Sequence, residues 1–386
     1  MKVFLLSGEF PPMQGGMGDY SKELGQALGA LGIEVHVITS LQGHSAPEGL
    51  TVHPLIRQWG WGCWRPILHL VRQIEPQVFH IQYQTAAYGM HPAINFLPWR
   101  LRLLPDRRPL VATFHDLRLP YLFPKAGRLR HWVTQAIAQG SDALIATNQE
   151  DESALREWGL SDKVTRIPIG SNITPQPPQG YDRDAWRRRW GIGPQTKLLG
   201  YFGFLNASKG VETLLRALKL LVEDGHDMHL LMVGGKIGSS DLTNVAYAQR
   251  MEALIGELGL GERVHSTDFV PQSEVSAHLM ATDLCVLPYR DGISFRRGSL
   301  LACLAHGCPI VSTRPRVRIS ELREGENVLL APPDDPATLA RRVEDAAGDA
   351  NLHRRLQEAA RRLAQHFTWQ AIARQTAALY ERLLGE

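Results

Sequence analysis

The chain has 386 residues, 44% of them hydrophobic, and a formal net charge of +3. That length exceeds what one hydrophobic core usually serves, so two domains are expected, and the charge is too mild for a nucleic-acid binder, for which no motif is present. No apolar run approaches the length of a membrane span, and the apolar part of "MKVFLLSGEFPP" is too short for a signal peptide, so a cytoplasmic protein is expected.

The first part of the chain alternates short apolar runs with amphipathic stretches. Residues 3–7, 34–40, 78–82, 110–114, 143–147 and 164–168 have strand character, with helical patterns at 20–31 and 131–138 between them. Strands alternating with helices predict a parallel sheet covered on both faces. The stretch "TPQPPQG" at 174–180 interrupts every pattern and reads as a linker. The rhythm then restarts, with strands expected at 197–203, 229–235, 264–269, 284–288, 310–313 and 328–331, a helix at 211–224, and a helical tail from 336 onward. The expected organisation is therefore a first α/β domain at 1–173, a linker at 174–181 and a second α/β domain at 182–368. Open sheets of this kind bind ligands outside the carboxyl ends of their strands.

Candidate residues stand at those strand ends. Gly15, Gly16 and Gly18 lie between the first strand and its helix, where a backbone free of side chains can approach a ligand; a turn needed only for chain geometry is the alternative. The spacing is not that of a dinucleotide fingerprint or a P-loop. In "ATFHD", His115 and Asp116 follow a strand directly and can contact a polar ligand or move protons, or else form a local cap. Lys209 sits at a strand-to-helix turn in "YFGFLNASKGVETLLRAL", which suits a phosphate. In "ISFRRGSLLACLAHGCP" Arg296 and Arg297 stand before the expected amino end of a buried helix, with Gly298 and Ser299 opening it. A dibasic pair taken alone is as readily a solvated turn.

Two further features concern partners. Residues 98–131 carry eight Lys and Arg against two Asp, a local charge of +6, and Trp59, Trp61 and Trp64 lie in "RQWGWGCWRP". Basic and aromatic groups together suit peripheral contact with an anionic membrane surface; the alternative is that the tryptophans pack inside. The four cysteines, Cys63, Cys285, Cys303 and Cys308, show neither a C-x-x-C pair nor zinc spacing, so free thiols are expected and a metal site is not.

Taken in order, "FPPMQGGMGDYSKELGQALGALGIEVHVIT", "TFHD", "GFLNASKGVETLLRAL", "LLMVGG", "FVPQSEVSAHLMATDLCVLPY", "GSLLACLAHGCPIVST" and "ENVLLAPPDDPATLA" resemble the landmarks of the family 4 GT-B glycosyltransferases, across nearly the whole chain. The resemblance implies two Rossmann-like doubly wound domains facing each other across a cleft, with the final helix, about 369–386, packing back on the first. It implies transfer of a sugar from a nucleotide-diphosphate sugar to an acceptor, with retention of configuration and without a metal ion. No cofactor is implied, because the nucleotide-sugar is a substrate. The acceptor, a sugar, a lipid-linked or a small molecule, is expected against the first domain.

By the same resemblance Lys209, Arg296, Arg297, Gly298 and Ser299 surround the donor diphosphate. His115 positions the donor sugar, with Asp116 and Ser294 nearby, and Gly15 and Gly16 form a glycine loop at the cleft. The sequence departs from the family at three places: Phe204 stands where a diphosphate arginine is usual, and Ser294 and Ala302 stand where two glutamates are usual. The Arg296–Arg297 pair is the expected replacement for the arginine, because a guanidinium fork suits a diphosphate from whichever side it enters. Loss of both glutamates keeps two other readings open, a non-catalytic sugar-nucleotide-binding protein and a nucleotide-sugar epimerase.

Overall fold

A computed structural model describes residues 1–13, 15–117, 127–234 and 242–385, the side chains at 127–130 and 242–244 excepted. Of the basic residues in 98–131, Arg118, Lys125 and the side chains of Arg128 and Arg130 lie outside the described residues, as does Gly235 at the end of the expected strand 229–235. The chain divides into two units, one of Met1–Asn172 with Thr368–Glu386 and one of Ile173–Phe367.

The elements run β1 (Lys2–Ser7), α1 (Gly16–Gly29), β2 (Glu34–Ser40), β3 (Leu50–Ile56), α2 (Trp64–Ile74), β4 (Val78–Tyr83), α3 (Ala93–Leu101), β5 (Leu110–Phe114), α4 (Gly127–Gly140), β6 (Ala143–Ala146), α5 (Gln149–Glu157) and β7 (Val164–Arg166). They continue with α6 (Arg183–Arg188), β8 (Lys197–Phe202), α7 (Val211–Glu223), β9 (Met228–Val233), α8 (Leu242–Glu257), β10 (Val264–Ser266), α9 (Gln272–Ala281), β11 (Leu284–Leu287), α10 (Gly298–Ala305), β12 (Ile310–Thr313), β13 (Leu329–Ala331), α11 (Pro336–Gly348), α12 (Ala350–Ala364) and α13 (Trp369–Leu384).

In the first unit the described strands form a seven-stranded sheet in the order β3-β2-β1-β4-β5-β6-β7, every pair parallel. The period of two along each strand sorts side chains between two cores. Phe4, Leu6, Phe79, Ile81 and Ala112 join one with residues of α2, α3, α4 and α5, while Val3, Leu5, Val37, Val78 and Val111 join another with residues of α1 and α13. Burial on both faces is why these strands read as continuous apolar runs. The edge strand β3 has no such run: its residues are mostly half-exposed and it contains Pro54, a residue confined to sheet edges, so the apolar pattern does not reveal it.

The chain returns to this unit through α13. Trp369 donates from Nε1 to the Ser171 carbonyl at 3.0 Å, and its ring meets Tyr20 edge-on at 5.2 Å. Gly170 admits the indole, since a Cβ there would lie 2.5 Å from it.

The second unit repeats the plan with a six-stranded parallel sheet in the order β10-β9-β8-β11-β12-β13. Helices α7, α8 and α11 build a core on one face with Leu199, Tyr201, Leu230, Met232 and Val286. Strand β10 ends at Ser266, short of the expected 269, because Asp268 turns to a left-handed backbone with φ 55°. Beneath β8 the buried Arg187 bonds Asp283 at 3.0 Å, and Asp283 also accepts the Leu198 amide at 2.7 Å. Burial works against that carboxylate's charge, yet the Leu198 amide and Arg187 together hold its pKa below the ordinary range.

Candidate active site

Each sheet has one point where its strand order reverses, and ligands of open α/β sheets bind at such points. In the first unit it lies between β1 and β4, in the second between β8 and β11. The candidate residues gather at these two places.

In the second unit the turn after β8 is pressed against the turn after β11. Gly210 has φ 69°, and a Cβ on it would lie 1.9 Å from the Pro288 carbonyl, so only glycine permits the approach. The Arg290 amide donates to the Ser208 carbonyl at 3.0 Å and ties the two turns together. Lys209, just before this glycine, donates from Nζ to Ser299 Oγ at 3.1 Å and lies 5.2 Å from the centre of the Tyr289 ring. The fully buried Tyr289 has its hydroxyl 2.7 Å from the same Ser299 oxygen. Arg297 covers the Tyr289 ring at 5.0 Å, pairs with Asp291, and has Nη1 3.5 Å from Ser208 Oγ.

Two cations thus converge on one tyrosine, Lys209 bonding Ser299 and Arg297 approaching Ser208, with Asp291 as the carboxylate paired to Arg297. The cost is visible at Lys209, whose pKa falls to about 8, first through burial and then through the Arg297 charge. Helix α10 begins here with Arg297 at its N-cap and no side-chain hydrogen bond on its first amides. Gly298 is exposed, with open space where a Cβ would stand. Partly uncompensated cations beside free helix amides form a ready anion site.

Of the predicted diphosphate group, Lys209, Arg297 and Ser299 are brought together and Gly298 adjoins them. Ser294 and Arg296 lie in the turn just before: the Ser294 carbonyl accepts the Arg297 amide at 3.0 Å, and Ser294 Oγ lies 3.4 Å from the Arg296 amide. Phe204 is 48% exposed, and Ala302 is fully buried on α10. Tyr289, Asp291 and Ser208 escaped the sequence reading. The signal for the first two was "LPYRDG", polar residues directly after an apolar strand.

In the first unit His115 follows β5, and its amide donates to the Tyr83 carbonyl at 3.1 Å. Its Nε2 lies 2.9 Å from Gln82 Oε1, and Tyr20 of α1 meets its ring edge-on at 4.5 Å. Burial pulls its pKa down to about 4, so it is neutral under ordinary conditions. Behind it Gln82 Nε2 lies 3.2 Å from His80 Nε2, while His80 reaches Thr113 Oγ1 at 2.7 Å and the Tyr380 hydroxyl of α13 at 2.6 Å. Asp116 is half-buried beside His115.

Gly15 and Gly16 start α1, the helix that carries Tyr20 to His115. A Cβ on Gly16 would meet nothing within 4 Å, whereas one on Gly15 would strike the Glu9 carboxylate at 1.9 Å. Burial, with Asp19 nearby, raises the pKa of Glu9. Gly18 is the packing glycine, its would-be Cβ 3.2 Å from the backbone of Glu9 and Phe10. Gln82 and His80 also escaped the sequence reading; the available signal was two polar residues at alternate positions of an apolar strand.

Of the three clustered tryptophans, Trp59 is buried and donates to Ser40 Oγ at 2.8 Å, Trp64 is half-buried, and Trp61 is 50% exposed. Trp99 and Trp132 are exposed as well, and Phe96 bridges Trp61 and Trp132 at ring distances of 6.1 and 5.6 Å. All four cysteines are buried free thiols. Among the described residues no three His, Cys, Asp or Glu side chains are grouped to hold a metal ion, and no helix is long and apolar enough to cross a membrane.

Comparison with known proteins follows the same division. Residues 14–174 match the family model described as Glycosyltransferase Family 4, and residues 196–349 match that described as Glycosyl transferases group 1. The chain is 29% identical to a D-inositol 3-phosphate glycosyltransferase of Corynebacterium jeikeium, over 99% of this chain and 97% of the relative. It is 26% identical to the protein of the same name from Streptomyces coelicolor, over 95% of this chain and 86% of the relative. Among solved structures, Anabaena Alr3699/HepE in complex with UDP superposes with a TM-score of 0.78 at 20% identity, covering 99% of this chain and 100% of that one. Sucrose-phosphate synthase from Thermosynechococcus elongatus superposes at 0.74 with 22% identity, covering 100% and 99%. With both halves matched and the two doubly wound sheets in place, the chain belongs to the family 4 glycosyltransferases of GT-B fold.

Proposed function

We propose that this glycosyltransferase takes its sugar from a nucleoside-diphosphate sugar and passes it to a hydroxyl acceptor with retention of configuration and without a metal ion. The observation that carries the donor class is the meeting of Lys209 and Arg297 on Tyr289 at the β8/β11 reversal, with Ser299 bonded to both the lysine and the tyrosine. A diphosphate supplies the negative charge that this group lacks. In the reaction the bond from the anomeric carbon to the diphosphate oxygen breaks, the acceptor oxygen bonds to that carbon, and the acceptor proton passes to the leaving phosphate. Lys209, Arg297 and the first amides of α10 stabilise the charge that develops on the leaving group. With those cations in place, charge neutralisation has a source other than a metal ion. Arg296, Gly298 and Ser299 complete the phosphate surround.

In the other unit His115 positions the transferred sugar, with Asp116 beside it, and the open backbone at Gly16, next to Gly15, admits substrate. Ser294 lies toward the sugar on the donor side. The Anabaena protein is solved with UDP and with UDP-glucose, and the bacterial relatives are named for an inositol phosphate acceptor. Uridine donors and phosphorylated polyols are therefore the first pair to test. A lipid-linked acceptor at the inner face of the cytoplasmic membrane is the next, because Trp61, Trp99 and Trp132 are exposed and no carboxylate partners Arg65, Arg72, Arg100 or Arg108 among the described residues.

The test is a thermal-shift and titration screen over UDP, GDP, ADP and dTDP and their sugars, since a ligand bound only by the folded state raises its stability. Product analysis then follows the anomeric configuration, with and without chelator. Stabilisation by one diphosphate but not by its nucleoside supports the reading, and stabilisation by none removes it. Inverted product or loss of turnover in chelator would remove retention or metal independence respectively.

A further inference from the structure

We propose that Gln82, His80 and Tyr380 are positioning residues for His115: they hold its imidazole as the Nε2–H tautomer, so that Nδ1 is presented as a bare acceptor, and they tie that choice to the last helix. The proposal rests on the reading of His115 as a site residue only for its kinetic consequence, because the tautomer follows from the orientation of the Gln82 amide between the two histidines.

Gln82 and His80 are two residues apart on β4, on the same face, and both are fully buried. Gln82 is the bridge between the histidines, with Oε1 2.9 Å from His115 Nε2 and its amide nitrogen 3.2 Å from His80 Nε2. A carbonyl oxygen only accepts and an amide nitrogen only donates. With the Gln82 amide in this orientation, His115 carries its proton on Nε2 and His80 leaves its Nε2 bare, where Thr113 Oγ1 also approaches at 2.7 Å. The remaining His80 proton is then on Nδ1 and is donated to the Tyr380 hydroxyl at 2.6 Å.

Both rings are neutral, burial taking His80 to about 3 and His115 to about 4, so each has one proton to place. Reversing the choice at His115 means turning the Gln82 amide over and moving the His80 proton to its other nitrogen. Partial reversal sets donor against donor in a buried site, a costly arrangement. The chain from Tyr380 to His115 therefore switches as a whole or not at all.

His115 Nδ1 has no partner among the described residues. The ring is otherwise held by Tyr20 and by the main-chain bond to Tyr83. An imidazole fixed in this way accepts a hydrogen bond from a hydroxyl and cannot donate one, which restricts its target to a donor O–H of the sugar or of the acceptor.

The experiment is a long-range proton–nitrogen correlation on the full-length protein with nitrogen-15 histidine, near neutral pH, with His115 identified by the peaks lost in His115→Gln. In the unmodified protein, His115 is expected with a protonated Nε2 and a bare Nδ1. Tyr380→Phe and Gln82→Met should each shift those signals toward a tautomer mixture, whereas Gln82→Glu, whose carboxylate still accepts from Nε2, should keep the original form. A protonated Nδ1 in the unmodified protein would overturn the proposal, and so would unchanged His115 signals in a folded Tyr380→Phe protein. Turnover reports separately: His115→Ala with normal kcat and KM would remove His115 from the proposed function while leaving the tautomer result standing.

Discussion

The two strand-order reversals share one topology and hold opposite chemistry. At β8/β11 the approach of two turns, permitted by Gly210, packs Lys209 and Arg297 around a buried tyrosine and leaves positive charge that the protein itself only partly offsets. At β1/β4 the buried groups are neutral: two histidines with depressed pKa values joined through a glutamine. Topology supplies a place for a ligand, and the side chains at the strand ends decide its charge. The cationic place suits a diphosphate and the neutral one suits hydroxyl groups.

Removing the cation whose pKa the site depresses should separate the two places most clearly. Lys209→Ala is expected to lower kcat by about 10²–10³-fold, the loss seen when a charge-stabilising donor is removed. Thermal stability should hold, since a half-buried lysine with a depressed pKa contributes little to it. Steady-state kinetics beside a melting curve check this, and normal turnover in a folded variant would take Lys209 out of the mechanism.

Arg297→Ala should weaken nucleoside diphosphate by about 1.5–3 kcal/mol, and the bare nucleoside far less, as expected for one charge-assisted contact. Arg297→Lys should recover part of the loss, because it keeps the charge without the planar fork. Arg296→Ala should have the smaller effect, since Arg297 is the member stacked on Tyr289. Calorimetric titration with diphosphate and nucleoside reads each case. Equal weakening of both ligands would point to general damage instead.

The two places should also respond differently to pH. Lys209 carries its proton below about 8 and an anion favours that form, so diphosphate affinity should be highest there and decline as pH rises through that value. The ligand-free protein shows the opposite trend: the unfolded chain keeps this proton to higher pH, so this group's contribution to stability rises over the same interval. His115 is already neutral above about 4 and adds no pH dependence in that range. Titrations at several pH values in buffers of differing ionisation heat would detect the proton taken up with diphosphate. Affinity flat across the interval would contradict the placement of Lys209 at the phosphates.

The smallest effect is expected at the open glycine. Gly16→Val projects into empty space, so the melting temperature should barely change while KM for a substrate rises several-fold. Gly210→Val is the contrasting control: it would strike the Pro288 carbonyl from a left-handed backbone and should destabilise the second unit. Wild-type kinetics in Gly16→Val would reduce that glycine to a turn.

Legibility in the sequence followed the range of the interactions concerned. Continuous apolar runs such as "VFLLS" and "LVATF" announce strands buried on both faces because burial acts on each residue locally. The edge strand Leu50–Ile56, half-exposed and holding Pro54, carries no such mark. At the candidate site His115 is visible because it stands directly after a strand, and Lys209 and Arg297 because each stands just before a helix in the segment that follows one. Asp291 and Tyr289 also follow a strand, in "LPYRDG", but lack a helix start to mark them, while Gln82 and His80 lie inside a strand, where the apolar pattern gives no sign of a role.

By itself the sequence determined two α/β rhythms, the break between them, and the residues that stand where strands end, since these depend on periodicity within a few turns of chain. Tertiary structure alone decided the strand order, and with it which loops meet. Pairing of β11 with β8 brings Arg297 and Ser299 to Lys209 across about ninety residues, and the return of α13 sets Tyr380 against His80 across 300. No local pattern encodes such meetings, because they exist only once the sheets have buried their faces and one packing has excluded the others.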